Sequence, residues 1–262
     1  AYEKFIKINP GPAWTGLNQV GAIYTKLGQY DKAITAFQEV LKINPSDVQA
    51  IYNLVNALEK SEHYAQAAPL YRKLIELKPE DSKSYLSLLF QLWNKTGDLD
   101  KAAEVGQEII AQSPDNPQNY YNLGIIYFNK DDHSNALAAF NQALKIDPKF
   151  EQAFYNIGLV YFKQKKYGEA AAAFTKFTEI NPNNADAFYN IGAGYLQIKK
   201  YEQALKPLQK AVELRSDYAL AHYNLSIVYY LLEDRYSAEE EYKTLLKLNP
   251  SLAEKLRKII KK

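Results

Sequence analysis

Apolar residues fall along this chain in two alternating stripes, each with helical spacing. From Phe154 onward, Phe154, Ile157, Gly158 and Tyr161 stand at i, i+3, i+4 and i+7, which puts them on one face of a helix. Lys165 and Lys166 form a short polar break. A second stripe then carries Tyr167, Ala170, Phe174 and Phe177 to about Ile180. Asn181, Pro182 and Asn183 end it, because proline has no amide to donate and disfavours helix in the residue before it. The pattern predicts one helix–turn–helix unit.

The same unit recurs. Tyr120, Leu123, Gly124, Tyr127, Ala136, Phe140, Ala143 and Pro148 repeat it, as do Phe188, Ile191, Gly192, Tyr195, Tyr201, Ala204 and Ala211. Val20, Gly21, Tyr24, Tyr30, Ala33, Phe37 and Pro45 come earlier, and Leu225, Ser226, Tyr229, Ala238, Tyr242 and Pro250 later. Pro10, Pro45, Pro79, Pro114, Pro148, Pro182 and Pro250 keep a period of 34 or 35 residues, with Ser216 standing where one proline is missing. A unit this small cannot bury its own apolar face, so neighbours must stack to complete the core.

This sequence resembles the tetratricopeptide repeat, whose aromatic, Leu-Gly, Tyr, Ala, aromatic and Pro positions it matches at most places. The resemblance implies an all-α, right-handed superhelical solenoid of helix–turn–helix repeats. It divides into repeats at 14–47, 48–81, 82–116, 117–150, 151–184, 185–218 and 219–252. Residues 1–13 read as the second helix of a truncated repeat, and 253–262 as a capping helix in which Leu256, Ile259 and Ile260 cover the last unit. With no initiator Met, the chain is expected to be a product cut within a repeat.

Every complete unit has an alanine early in its second helix: Ala33, Ala67, Ala102, Ala136, Ala170, Ala204 and Ala238. Gly21, Gly124, Gly158, Gly192 and Ser226 on the first helices are expected to face these alanines, small residue against small. Nine of the 22 tyrosines, including Tyr161, Tyr167 and Tyr195, stand near the inter-helix turns and are expected to pack in the core. The unit 82–116 is irregular. It carries an extra residue before Gly97 and has Gly106 where an aromatic belongs, with Phe90 and Trp93 placed to refill the space and a bend of the superhelix expected there. Pro69 and Pro207 are expected near the first turns of their helices, where proline is tolerated.

Composition narrows the chemistry. A net charge of +2 gives no general attraction to nucleic acid or anionic membrane, and no apolar run is long enough for a membrane span. Cysteine and methionine are absent, which excludes disulfides and zinc thiolate sites. That fits a cytoplasmic or an exported protein, with a lean toward export. His63, His133 and His222 stand about two repeats or more apart and cannot form a metal pair or a dyad within one unit, and Glu239, Glu240 and Glu241 read as a solvated helix face. No phosphate loop or nucleophile elbow appears, so no enzyme, cofactor or metal is expected.

In arrays of this family the first helices line the concave face. Beside the Leu/Ile-Gly positions runs a repeated Tyr-Asn pair: Tyr52-Asn53, Tyr121-Asn122, Tyr155-Asn156, Tyr189-Asn190 and Tyr223-Asn224. Further along the same face stand Ile125, Leu159, Ala193 and Ile227, then Phe128, Phe162, Leu196 and Tyr230. Asparagine amides can bond a peptide backbone without reading its sequence, and tyrosine offers apolar area with little rotamer entropy to lose. The expected function is a non-catalytic scaffold that binds another protein, as an extended peptide or a helix, in the groove from Tyr121 to Tyr230. The dipeptides serve equally to brace neighbouring units. A self-assembling array, or the targeting part of a larger protein, is the alternative reading.

Overall fold

The computed structural model describes residues 13–260, so the expectation for residues 1–13 lies almost wholly outside the described part. Two compact units make up the chain, Ala1–Pro114 and Asp115–Lys262. The first holds α1 (Ala13–Lys26), α2 (Tyr30–Ile43), α3 (Val48–Lys60), α4 (Tyr64–Leu77), α5 (Ser82–Thr96) and α6 (Leu99–Gln112). The second holds α7 (Pro117–Asn129), α8 (His133–Ile146), α9 (Glu151–Lys163), α10 (Tyr167–Ile180), α11 (Ala185–Gln197), α12 (Tyr201–Leu214), α13 (Ala219–Leu231), α14 (Arg235–Leu248) and α15 (Pro250–Ile260). Within each unit consecutive helices pack on one another, and among the described residues all regular structure is helical. The fold is an all-α array of helix–turn–helix repeats.

Local chemistry sets the helix ends. The carboxylate or amide oxygen of Asp47, Asp98, Asn116, Asp132, Asn184 and Asp234 accepts from a backbone amide two or three residues into the helix it caps. At two first-helix starts, those of α9 and α13, the capping place is held by Phe150 and Tyr218 instead. Neither makes a side-chain capping bond; their rings instead meet Tyr121 and Tyr189 in tilted contacts at 5.3 and 5.0 Å. After each first helix one residue takes a left-handed backbone: Gly28, Glu62, Gly97, Asp131, Lys165, Lys199 or Glu233. That conformation lets the following amide in six of the seven turns reach back five residues, as Lys166 N does to Tyr161 O at 2.9 Å.

Packing corrects one expectation about the small residues. The alanines are buried, and Gly192 and Ser226 do lie against Ala204 and Ala238, but what stands nearest Gly21, Gly124, Gly158 and Gly192 is the bulky residue four places beyond the alanine. A Cβ at Gly158 would lie 2.8 Å from Phe174 Cε1, and Gly21 and Gly124 are equally crowded by Phe37 and Phe140. The three rings are fully buried, each contributing about 1.5–3 kcal/mol by removal from water. In the last repeat Ser226 replaces glycine, and its Oγ donates to Ala238 O at 2.7 Å. Of the turn tyrosines, Tyr24, Tyr64, Tyr127, Tyr161, Tyr195 and Tyr229 pack against the core as expected, half-buried at its edge.

Three further expectations change. Pro69 and Pro207 are the sixth and seventh residues of α4 and α12, beyond the first turn, yet both helices run on through them. Glu241 is not solvated: it is paired with the buried His222. Ile259 is 41% exposed, and α15 covers the last repeat with Ala253, Leu256 and Ile260 instead. The irregular unit lengthens α5 to 15 residues where α3, α7 and α9 have 13, taking up the extra residue and one more from the turn that follows. Phe90 and Trp93 pack on the first unit's core, and a cavity of about 270 Å³ remains beside Ala68, Pro69, Leu89, Trp93 and Val105.

Candidate functional site

The expected groove residues occupy the first helices α7, α9, α11 and α13, all within the second unit. Tyr121, Tyr155 and Tyr189 turn their rings into the seam between helices. Tyr121 packs on Phe140 at 5.8 Å as well as on Phe150, and Tyr155 meets Phe174 at 5.2 Å and Phe177 at 5.1 Å, both edge-on. Tyr223 packs at the edge of the cluster formed by Tyr242, Leu245, Ala253 and Leu256. Burial pushes the Tyr155 and Tyr189 phenols above their ordinary pKa, against the opposing effect of a hydrogen bond from asparagine in each case.

Those asparagines come from the next repeat. Asn156 Nδ2 donates to Tyr121 Oη at 3.1 Å across 35 positions, and Asn190 meets Tyr155 and Asn224 meets Tyr189 at the same step. Asn156 Nδ2 also donates to Gln152 O at 2.9 Å, while Asn122 Oδ1 accepts from Gln118 at 2.8 Å. The bracing expected of these dipeptides is therefore present, as rungs joining successive first helices. Each such bond contributes about 1 kcal/mol net. The donors of Asn156 are engaged in these bonds, which leaves the acceptor character of its Oδ1 on the surface.

Ile125, Leu159, Phe128, Phe162 and Tyr230 are half-buried beside the rungs. Three rings at or near this face carry cations. Lys163 Nζ lies 4.5 Å from the Phe128 ring and 2.8 Å from Asp131 Oδ1, and Arg235 sits 3.7 Å from Tyr230. Arg215 stacks 4.3 Å from Tyr218 and pairs with Asp186 at 2.6 Å, while Tyr218 also bonds Asp186. The guanidinium holds the Asp186 carboxyl below the usual range. Sequence inspection passed over this Asp186–Arg215–Tyr218 network. The available signal was an aromatic at the capping place, in the one repeat where Ser216 replaces proline.

Among the described residues no group of three or more His, Asp or Glu side chains is close enough to hold a metal. No described helix is long and apolar enough to cross a membrane. The first helices α7, α9, α11 and α13 instead carry half-buried asparagines beside half-buried apolar residues.

Comparison with known proteins agrees with this architecture. Models described as tetratricopeptide repeat match residues 14–47, 52–117, 151–184, 173–206 and 219–252, and one described as TPR repeat matches 126–165 and 194–232. The general transcriptional corepressor ssn6 of Schizosaccharomyces pombe is 27% identical over 135 residues, 51% of this chain but only 12% of that protein. A solved structure of MamA, residues 41 to the end, from Desulfovibrio magneticus RS-1 is 25% identical with a TM-score of 0.60, covering 65% of this chain and 97% of that one. The C-terminal part of a TPR repeat-containing protein from Cytophaga hutchinsonii, 17% identical, shares the fold with a TM-score of 0.69 over 89% of this chain and 95% of that one. With its helix pairs, its buried alanine–glycine positions and these matches along its length, the chain belongs to the tetratricopeptide repeat family and is a scaffold for protein–protein interaction.

Proposed function

We propose that the second unit binds an extended segment of a partner protein along the first-helix face, without catalysis. The observation that carries this is the pairing of rows: amide groups of Asn122, Asn156, Asn190 and Asn224 run beside the half-buried Ile125, Leu159, Phe162 and Tyr230. Engaged amide donors fix the orientation of Asn156, Asn190 and Asn224 in advance, so little entropy is lost when an oxygen accepts from a partner's backbone; Asn122 Oδ1 already accepts from Gln118. The adjacent apolar strip supplies anchor sites. Tyr121, Tyr155 and Tyr189 act here as the walls that hold the rungs, and Phe128, Leu159 and Phe162 as the contact surface.

A random dodecapeptide library displayed on phage and selected against the whole chain tests this. The expected result is enrichment of peptides with spaced apolar residues. Their affinity should fall by about 2 kcal/mol for Phe162→Ala, the cost of losing a central anchor. Equal affinity for parent and Phe162→Ala, with unchanged helical circular dichroism, would refute the assignment.

A further inference from the structure

The turns that close the first helices hold a feature that packing does not explain. A left-handed backbone costs a side-chain-bearing residue about 1 kcal/mol or more, which glycine avoids. Gly28 and Gly97 show that this turn accepts glycine. Aspartate, as at Asp131, recovers part of the cost through its short polar side chain. Lysine recovers none, yet Lys165 and Lys199 stand there at φ 59° and 60°. Each is followed by another exposed lysine, Lys166 and Lys200. Glu62 and Glu233 hold the same conformation at φ 62° and 66°, so strain alone does not mark out the lysines; what distinguishes these two turns is that together they carry four exposed lysines.

The two turns are neighbours. A Cβ at Gly168, two residues past Lys166, would stand 3.9 Å from Ile198 Cδ1, one residue before Lys199. They also border the apolar strip, because Phe162 meets Tyr167 edge-on at 5.0 Å and Lys163 lies over Phe128. The nearest carboxylates on the same helix starts are Glu169 and Glu202. On either side the flanking turns carry mixed charge, with Asp131 and Asp132 before, next to Lys130 and with Asp131 paired to Lys163, and Glu233 and Asp234 after, next to Arg235. The basic patch is thus short and bounded at both ends.

We propose that Lys165, Lys166, Lys199 and Lys200 receive the carboxylates of a short acidic segment in the same partner whose apolar anchors lie on the first-helix face. The assignment rests on the groove binding proposed above and specifies its partner's charge. Charge complementarity favours this occupant, since an extended anionic bilayer would also meet the carboxylates of the mixed flanking turns and gain less there.

The dodecapeptide selection tests both proposals separately. Peptides carrying two or more Asp or Glu residues at one flank of the apolar anchors are the expected result. One such peptide should bind Lys165→Gly/Lys199→Gly about tenfold more weakly than parent, as losing two exposed charge pairs implies. The same variant should melt at an equal or higher temperature, because glycine relieves both strained turns. Apolar peptides with no acidic bias would overturn the lysine proposal and leave the groove standing. Acidic peptides without apolar anchors would overturn the groove and leave the lysine contact. If nothing is enriched, both fail. Sedimentation with vesicles containing phosphatidylserine, lost in the variant and accompanied by unbiased peptides, would reassign the lysines to a membrane and overturn the proposal.

Discussion

Replacing Gly158 by alanine probes the packing on which each hairpin of the second unit depends. The new Cβ would stand 2.8 Å from Cε1 and Cζ and 2.9 Å from Cδ1 of Phe174. To restore ordinary contact, ring and helix must separate by about 0.6 Å. Phe174 has little room to yield, being fully buried with Tyr155 edge-on at 5.2 Å. Overpacking of this kind costs about 1–3 kcal/mol, and alanine returns about 1 kcal/mol of helix propensity. The net expectation is a loss of about 1–2 kcal/mol, read as a lower urea midpoint with an unchanged slope. Gly168→Ala is the control. Its nearest neighbour is Ile198 Cδ1 at 3.9 Å, so that substitution should gain a few tenths of a kcal/mol up to about 1. The same chemical change in adjacent helices thus carries opposite signs. A Gly158→Ala chain as stable as Gly168→Ala would refute the packing argument.

Other consequences are equally open to measurement. Tyr155→Phe keeps the ring but removes its hydroxyl from Asn190, and should cost about 0.5–1.5 kcal/mol. A double-mutant cycle with Asn190→Ala should show that the two losses are shared rather than additive. Burial disfavours charge on His222, but Glu241 on one ring nitrogen and the Ser216 carbonyl on the other outweigh it and raise the pKa. The stability this adds is full below the unfolded value of about 6.5 and is lost as pH rises through the higher folded value. Urea midpoints should therefore decline over that range, and His222→Gln should remove the decline. Phe174→Ala should cost about 3–5 kcal/mol through the cavity it leaves.

How much was legible beforehand depended on the range of the interaction. The helices, turns and buried alanines follow from spacing within a single unit, and seven repetitions made that spacing unmistakable. Which residue stands over Gly158 depends on how two helices cross, and spacing alone led to Ala170 instead of Phe174 four residues on. Bracing by the Tyr-Asn pairs was expected from the repeat, but which tyrosine meets which asparagine, 35 residues on, depends on how neighbouring units stack. Glu241 looked solvated within its own helix because its partner, His222, belongs to another. Lys165 was visible only as part of a polar break and Lys199 was not singled out, since nothing local distinguishes φ of 59° from an ordinary turn.

A co-crystal structure of the whole chain with an enriched dodecapeptide tests the central claim most directly. The account predicts a peptide main chain within hydrogen-bond reach of Asn156 and Asn190, with apolar side chains against Leu159 and Phe162. A peptide seated instead on the second-helix face, against Glu179 and Gln209, would contradict it.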